Sequence, residues 1–345
     1  MPLDEPAWWY RKGPSATAAL LQPLASIYGW AATRRFALAQ AYRSRLPVIC
    51  VGNFTAGGTG KTPLVAHLCA HLARAGQRPV VITRGYGGRH AGPHWVARSD
   101  TAADVGDEAL LLARVAPTLV ARDRGAGARA AETREEAASA IVMDDGMQNP
   151  QLAKDLTIAV VDGTRGLGNC RVIPAGPLRA PLEFQLRLVD AIVVNAASAE
   201  AGEALAQSLK RLFSGPVLRA ITVVAGDASW LKGLRVVAWA GIGAPQRFFR
   251  LLEAQGAQLA ETVTFRDHQA ITAADAERLL LLARLHQAQL VGTEKDLARI
   301  AGQATGPLAE LTAATRPLPI ALTFPELDAA RLGALIDDAL ARRSR

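Results

Sequence analysis

Short apolar runs rich in Val and Ile recur along the first part of the chain, and most of them end in a polar or acidic residue. They cover 48–51, 78–83, 117–120, 140–143, 156–161 and 191–194. An apolar helix is predicted over residues 63–75, between the first two runs. Strands that alternate with helices in this way predict a parallel α/β sheet.

The same pattern starts again near residue 217. A strand-like segment covers 217–224, and a second strand that ends in glycine covers 235–243. We therefore predict a first domain and, after it, a smaller α/β domain whose last strand covers 320–324. An amphipathic helix closes the chain. The predicted boundaries are 47–229 for the first domain, 230–325 for the smaller domain and 326–345 for the closing helix.

Residues 1–46 stand apart from this pattern, because residues 13–33 carry no charge. Leu20, Leu24 and Ile27 recur at helical spacing, and arginines follow from Arg34 onward. This pattern is typical of an amphiphilic helix that lies in a membrane interface, with its arginines facing anionic lipid. A spanning helix and a helix that packs on the following domain also fit the residues.

Composition narrows the functional classes. The formal net charge is +8, but only six of the 39 basic residues are lysines, and no basic run carries interleaved aromatic residues. We therefore expect no nucleic-acid partner, and the residues indicate no obligate protein partner. Three widely spaced cysteines without a Cys-x-x-Cys motif argue against a disulfide framework and a cysteine zinc site, and for a cytosolic chain.

A glycine-rich loop follows the first apolar run and precedes the predicted helix. In a phosphate-binding loop, glycines let backbone N–H groups point at phosphate oxygens, a lysine adds a point charge and a threonine hydroxyl binds Mg²⁺. The predicted nucleotide-binding residues are Thr55, Ala56, Gly57, Gly58, Thr59, Gly60, Lys61 and Thr62. Thr55 stands where the general pattern has glycine, and an ordinary glycine-rich turn is the alternative. The loop predicts binding of ATP or GTP, and the chain has no clear Asn-Lys-x-Asp guanine motif.

Polar residues at strand ends are expected to gather at one edge of the sheet, because ligands bind beyond the carboxyl ends of parallel strands. The residues placed there are Thr62, Arg84, Asp144, Asp145, Asp162 and Asn195. Asp144 and Asp145 directly follow the run 140–143, where a phosphate-loop enzyme holds Mg²⁺ opposite the threonine hydroxyl of the loop. A plain Asp-Gly turn is the alternative.

Three further segments carry candidate chemistry. Asp107, in the segment 106–108 at the start of a predicted helix, is a candidate general base for an acceptor hydroxyl or else a helix cap. The segment 83–88, which contains Arg84 and Tyr86, suits a loop that contacts phosphate or sugar, and a surface turn fits equally well. Three arginines add charge for a second anionic ligand, namely Arg165, Arg171 and Arg179.

With these residues in place, the chain resembles the tetraacyldisaccharide 4′-kinase family of lipid A biosynthesis in Gram-negative bacteria. The blocks that carry the resemblance follow in family order over nearly the whole chain: 51–63, 83–88, 106–108, 144–148, 173–181, 241–249, 265–268 and 292–296. The resemblance implies a lipid kinase that transfers the γ-phosphate of ATP to the 4′-hydroxyl of a tetraacylated glucosamine disaccharide 1-phosphate. It also implies a peripheral or monotopic protein on the cytoplasmic face of the anionic inner membrane.

The functional residues of the family carry over onto matching positions of this chain. The resemblance implies that 55–62 bind ATP and that a threonine at position 55 is a feature of the family. It implies that Asp107 is the general base and that His268 orients or tunes it across a domain cleft. The implied Mg²⁺ ligands are Thr62, Asp144 and Asp145, and the implied substrate contacts are Arg84, Tyr86, Gln148 and Arg179. The segment 293–296 resembles a family signature, and its residues alone give it no role.

The fold class that follows is α/β, with a phosphate-loop NTPase-like parallel sheet, a second, smaller α/β domain and an N-terminal amphiphilic helix. Two positions depart from the family: Asn149 replaces a histidine and Ala180 replaces a glutamate. Asn149 cannot carry a proton at neutral pH, so weaker activity or a slightly altered substrate is expected. The alternative function is a phosphate-loop ATPase switch that hydrolyses nucleotide and regulates a membrane partner.

Overall fold

Two β-sheets with packed helices make up the part of the chain that the structure describes. In this computed structural model, that part is residues 5–11, 13–134 and 136–343. The first four residues of the predicted segment 1–46, its residue 12 and the last two residues of the predicted helix 326–345 lie outside the described residues.

The strands, in chain order, are β1 Val48–Gly52, β2 Pro79–Thr83, β3 His94–Trp95, β4 Thr118–Val120, β5 Ala140–Asp144, β6 Leu156–Asp162, β7 Ala191–Ala196, β8 Val217–Val224, β9 Arg235–Ala240, β10 Gln258–Thr264, β11 Gln289–Thr293, β12 Thr315–Leu318 and β13 Ile320–Thr323. The large sheet has the order β13-β8-β7-β6-β1-β5-β2-β4-β3. The smaller sheet has the order β10-β9-β11-β12.

The helices, in chain order, are α1 Ala16–Leu38, α2 Lys61–Arg74, α3 Ala102–Val105, α4 Asp107–Ala113, α5 Arg124–Glu132, α6 Leu182–Leu186, α7 Ala199–Lys210, α8 Pro245–Ala254, α9 Ala273–His286, α10 Glu294–Ile300, α11 Pro307–Ala314 and α12 Glu326–Ala341. Two 3₁₀ turns cover Ala7–Tyr10 and Ser229–Leu231.

The large sheet confirms the predicted parallel α/β architecture. β1 lies at its centre and pairs in parallel with β5 and β6. Every residue of β1 is buried, as expected for a parallel strand between two neighbours with helices on both faces of the sheet. α2 packs Leu64, Leu68 and Leu72 into the core, because residues four apart share one face of a helix. The parallel strands place the ends of β5, β6 and β7 at the edge that receives the loop after β1.

The smaller sheet is parallel throughout and is built from the chain after β8. The strands predicted at 217–224 and 235–243 are β8 and β9. The strand predicted at 320–324 does not end the smaller sheet, because β13 pairs antiparallel with β8 of the large sheet. Its Leu322 packs into the core beneath α2. The chain therefore returns to the large sheet before residue 325, and the domain boundaries themselves stay a prediction.

α1 turns its small residues towards the protein and its large apolar residues outward. Ala18 and Ala25 are buried, and a Cβ at Gly29 would lie 3.2 Å from the ring of Pro181. The exposed large residues of the helix are Leu20, Leu24, Ile27, Tyr28, Trp30 and Leu38. The predicted N-terminal helix is confirmed. Among the described helices, none is both long and apolar enough to span a bilayer.

The residues before α1 pack beside the phosphate loop. Trp9 is 8% exposed, although it belongs to the predicted membrane-interface segment 1–46. Glu5 pairs with Arg165 at 2.8 Å. Its carboxylate lies so close to Gly57 that a Cβ at this glycine would overlap it. The first described residues are therefore part of the protein body, and the outward apolar face begins with α1.

Candidate active site

The glycine-rich loop lies between the end of β1 and the start of α2 and is held from both sides. Gly60 caps α2 with a φ of 91°, and a Cβ there would lie 2.2 Å from Asn195 Nδ2, so the position requires glycine. Asn195 Nδ2 also donates to Thr59 O at 3.2 Å. On the other side, Arg179 Nε donates to Thr55 O at 3.0 Å. The loop therefore presents a fixed backbone at the N-terminus of α2, which suits an anion.

Two cations converge on Asp145. Its Oδ1 lies 2.7 Å from Arg179 Nη1 and 3.6 Å from Lys61 Nζ. Burial alone would raise the pKa of Asp145, but the charges of Arg179 and Lys61 hold it below its usual value. The carboxylate expected to bind Mg²⁺ is therefore engaged, and metal binding through this oxygen requires an ion pair to open.

Asp144 has an unengaged carboxylate oxygen at the same edge of the sheet. It ends β5 in register with Val51 of β1. The hydroxyl of Thr83 donates to Oδ2 at 3.0 Å, whereas Oδ1 is buried and has no hydrogen-bond partner among the described residues. Burial, together with the carboxylates of Glu108 and Asp145, raises the pKa of Asp144 to about 7. A buried carboxylate oxygen without a donor fits a hard cation such as Mg²⁺.

The structure brings Asp107 and His268 together across a cleft. Asp107 begins α4 and is 4% exposed, and His268 follows β10 with a φ of 60°. His268 Nδ1 lies 3.4 Å from Asp107 Oδ2. Arg299 donates to the same oxygen from Nη2 at 2.8 Å and from Nε at 3.2 Å. Tyr86 stands edge-on to the ring of His268, with centroids 4.9 Å apart. The chain after β8 thus supplies two side chains that orient the candidate base.

The surroundings of Asp107 predict a contribution to stability that depends on pH. Burial alone would raise the pKa of Asp107, but the hydrogen bond from His268 and the charges of Lys295 and Arg299 hold it well below its usual value. Such a carboxylate stabilises the fold above its unfolded pKa and loses this contribution as the pH falls. We expect Asp107→Asn to lower the Tm near pH 7, and the difference from wild type to shrink below about pH 5. Thermal unfolding followed by circular dichroism measures both, and a difference independent of pH would contradict this account.

A cleft of about 320 Å³ separates the phosphate loop from the smaller sheet. It is lined by the loop, α4, α8 and α10, and its volume is that of a small-molecule site. Arg247 of α8 crosses the edge of the cleft, donates to Asn195 Oδ1 and pairs with Asp162 at 3.3 Å. Because Asn195 also holds Thr59 O, these contacts connect α8 to the phosphate loop.

The residues predicted to contact substrate occupy two kinds of position. Tyr86 is 52% exposed and lies next to His268, and Arg84 is exposed directly after β2. Both side chains are therefore accessible at the edge of the sheet. The other two predicted contacts, Gln148 and Arg179, are held against the phosphate loop.

Gln148 supports the loop from below. Its Nε2 donates to Asn53 O at 2.8 Å and to Gln185 Oε1 at 2.7 Å. Gln185 is fully buried and donates in turn to Phe54 O at 3.2 Å. In this structure the amide of Gln148 thus holds the backbone that leads into the phosphate loop. Its contact with substrate stays a prediction.

The two positions at which the resemblance predicts a departure, Asn149 and Ala180, make contacts within the protein. Asn149 Oδ1 accepts the N–H of Gln151 at 2.9 Å, and its Nδ2 donates to Gln151 Oε1 at 3.0 Å. Ala180 is 1% exposed, and its carbonyl accepts from Gln185 Nε2 at 2.7 Å. Asn149 therefore holds the chain at Gln151, whereas the contact of Ala180 is made by its backbone and does not depend on its side chain.

Residue patterns did not identify three charged side chains that the later part of the chain supplies to the cleft. Lys295 and Arg299 stand one helical turn apart on α10 and face Glu108 and Asp107. The segment 293–296 was a signal for Lys295, although without a role. Arg247 lies in the block 241–249, which gave it no role, because its partners Asn195 and Asp162 lie 52 and 85 residues away.

Comparison with known proteins gives one family along almost the whole chain. A profile of the family described as Tetraacyldisaccharide-1-P 4'-kinase matches residues 17–341. The protein named Tetraacyldisaccharide 4'-kinase from Bradyrhizobium diazoefficiens is 45% identical over 340 residues, which covers 98% of this chain and 97% of the relative. The relative of the same name from Nitrobacter winogradskyi is 46% identical over 332 residues, covering 95% and 96%.

A solved structure has a similar fold. It is the crystal structure of the "apo" form of LpxK from Aquifex aeolicus in complex with ATP. The TM-score is 0.72 at 23% sequence identity, and the match covers 94% of this chain and 99% of that one. At this identity the likeness concerns the fold.

Proposed function

The chain belongs to the tetraacyldisaccharide-1-P 4'-kinase family, and on that premise we propose that it transfers the γ-phosphoryl group of ATP to the 4′-hydroxyl of a tetraacylated glucosamine disaccharide 1-phosphate. The observation that carries the conclusion is the identity of 45% and 46% to proteins named for this activity over nearly their whole length. The enzyme is an ATP-dependent kinase of lipid A biosynthesis.

In this proposal Asp107 is the general base. His268 and Arg299 hold its Oδ2, while Oδ1 accepts the backbone N–H of Glu108 at 2.9 Å and keeps a further lone pair. Oδ1 takes the proton of the acceptor hydroxyl while the hydroxyl oxygen bonds to the γ-phosphorus and the bond to the ADP oxygen breaks. Because the pKa of Asp107 is held low, the carboxylate is ionised at neutral pH. The same low pKa makes it a weak base, so it takes the proton as the acceptor oxygen bonds to phosphorus and the hydroxyl becomes acidic.

The remaining residues position the triphosphate and balance its charge. The loop 55–62 supplies backbone N–H groups, and Lys61 and Arg179 supply positive charge beside it. Mg²⁺, when bound with ATP, neutralises charge on the phosphate oxygens. Thr62 and Asp144 Oδ1 are suited to hold the ion. Asp145 can join them through Oδ1 only if Lys61 and Arg179 release that oxygen.

The outward face of α1 supports a location at the cytoplasmic face of the anionic inner membrane. Large apolar side chains exposed on one helix face are unfavourable in water and favourable in a lipid interface. Arg34 and Arg35 follow the apolar stretch on the same helix, where they suit anionic headgroups. The lipid substrate resides in the same membrane. A protein bound at that surface therefore encounters its substrate by diffusion along the membrane.

We expect that replacing Leu20, Leu24 and Ile27 together by glutamine weakens binding to anionic phospholipid vesicles by at least about tenfold, since burial of a leucine contributes ~1.5 kcal/mol or more. The matched control replaces three leucines that are as exposed on other helices: Leu281, Leu285 and Leu327. Vesicle sedimentation measures both. Substitution is preferable to deletion of the N-terminus, because deletion also removes buried Trp9. Equal binding by the two triple variants would reject a specific role for α1.

One assay separates the kinase from the ATPase switch. The purified full-length protein is incubated with γ-labelled ATP and Mg²⁺, in the presence and in the absence of the acceptor, the tetraacyldisaccharide 1-phosphate. A kinase transfers label to the lipid and turns over slowly without acceptor. Label that appears only as free phosphate, at a rate independent of the acceptor, would establish the switch.

A further inference from the structure

The segment 293–296 divides into an anchor and a side chain that reaches into the cleft. The hydroxyl of Thr293 donates to Asp296 Oδ2 at 2.6 Å, and the same oxygen accepts the N–H of Gly241 at 3.0 Å. The first bond closes the N-terminal turn of α10, and the second joins that turn to Gly241, the residue after β9. Lys295 stands between the anchoring residues and lines the cleft. The backbone position of Lys295 is therefore fixed by the hydrogen bonds of the residues on either side of it.

Lys295 Nζ meets three groups in the cleft. It lies 3.1 Å from Glu108 Oε1, 3.4 Å from Asp267 Oδ1 and 3.3 Å from His268 Nε2. An ammonium group has three N–H donors and no acceptor. His268 Nε2 must therefore accept this hydrogen bond through its lone pair. In the neutral ring, the proton then sits on Nδ1.

Nδ1 is the ring atom that faces Asp107, 3.4 Å from Oδ2. Lys295 keeps Nε2 of His268 unprotonated. The ring proton therefore sits on Nδ1 and faces Asp107. Without Lys295, the acceptor next to Nε2 is Asp267 Oδ1, at 3.7 Å. This acceptor favours a proton on Nε2. Burial alone would lower the pKa of Lys295, but Glu108, Asp267 and Asp107 raise it above its usual value, so the donor keeps its charge.

We propose that Lys295 is a positioning residue, which holds His268 in the Nδ1–H tautomer that donates to Asp107. The inference rests on the proposed function, in which Asp107 is the base. Lys295 and His268 both belong to the chain after β8, while Asp107 and Glu108 begin α4. One side of the cleft therefore carries a preset donor, and the other side carries the carboxylate that receives it.

The test uses full-length protein with ¹⁵N-labelled histidine, and Lys295→Met as the variant that removes the donor. The ring nitrogens of His268 are assigned by comparison with His268→Gln. Wild type is expected to show a proton on Nδ1 and none on Nε2, and Lys295→Met to show Nε2 protonated. We expect kcat to fall about 10–100-fold, the usual effect of losing a supporting partner, with the KM for ATP nearly unchanged.

Two controls accompany this variant. Lys295→Arg keeps a cationic donor and is expected to keep the Nδ1–H tautomer and recover most of the rate. Lys210→Met removes an exposed lysine of α7 and is expected to match wild type in both measurements.

Several outcomes would overturn the inference. A proton on Nε2 of His268 in the wild-type protein overturns it directly. This measurement needs no variant, so it decides the question even if Lys295→Met fails to fold. The inference also fails if Lys295→Met leaves the protonation of the two ring nitrogens of His268 unchanged. It fails as well if their protonation changes but kcat does not, or if the variant raises the KM for ATP and leaves kcat unchanged. If wild type shows the Nδ1–H tautomer but transfers no label to the disaccharide, the proposed function fails while the tautomer assignment stands.

Discussion

Asp107→Asn is expected to lower kcat by about 10²–10⁴, the range for loss of a general base. Asparagine keeps the shape of the side chain and can still accept from Glu108 N, so the variant removes basicity with little change of geometry. Steady-state transfer of label to the disaccharide measures kcat and KM separately. Because the base acts in the transition state, we expect kcat and kcat/KM to fall together.

The matched control for this variant is Asp337→Asn, which changes an exposed carboxylate on α12. It is expected to leave kcat unchanged. The Arg299 guanidinium loses the charge of Asp107 in Asp107→Asn and keeps its ion pair with Asp296 at 3.0 Å, so the Tm of the variant is recorded alongside. An Asp107→Asn enzyme that is folded and turns over within about twofold of wild type would remove Asp107 from the role of base.

Lys61→Met is expected to lower kcat/KM by about 10²–10³, the range for loss of one preorganised group that stabilises developing charge. Lys61 begins α2 directly after the loop, and its ammonium pairs with Asp145 at 3.6 Å. Methionine keeps most of the length of the side chain and removes the charge. Because Arg179 remains 2.7 Å from Asp145, the carboxylate keeps a partner and the fold is expected to persist.

The measurement for Lys61→Met is kcat/KM for ATP at a fixed concentration of disaccharide. Lys232→Met, at an exposed lysine after the second 3₁₀ turn, is the control for loss of a positive charge. A Lys61→Met enzyme with kcat/KM near that of the control would show that the charge of Lys61 does not serve the triphosphate.

The large sheet could be predicted because its signals are local. Each buried parallel strand is a continuous apolar run, and the polar residue after it marks the edge where ligands bind. The smaller sheet gave weaker signals. β10 lies at its edge with mostly polar or exposed residues, and β12, at the other edge, contains Pro317. Edge strands of this kind lack the apolar run on which the prediction depends.

The site could be predicted only where its residues lie together in the chain or in a family motif. Asp107 and Arg299 are 192 residues apart, and a charged residue in a sequence does not reveal whether it faces water or a partner. Asp145 illustrates the same point. Its place after β5 indicated a metal ligand, whereas its partners, Lys61 and Arg179, come from other parts of the chain. Asp144, its neighbour, has a buried oxygen with no hydrogen-bond partner among the described residues.

The chain leaves the large sheet after β8 and returns to it at β13, and these two crossings lie side by side. Val224 and Ile320 are partners in the antiparallel ladder, and Ala225 N donates to Pro319 O at 2.9 Å. Everything between them is thus an insertion into a β-hairpin. We expect that the equivalent segment of a relative can be exchanged at these two positions without lengthening either connection. Chimaeras joined there would reveal which properties of the kinase are determined by the segment that contains Lys295 and His268, and which by the segment that contains the phosphate loop.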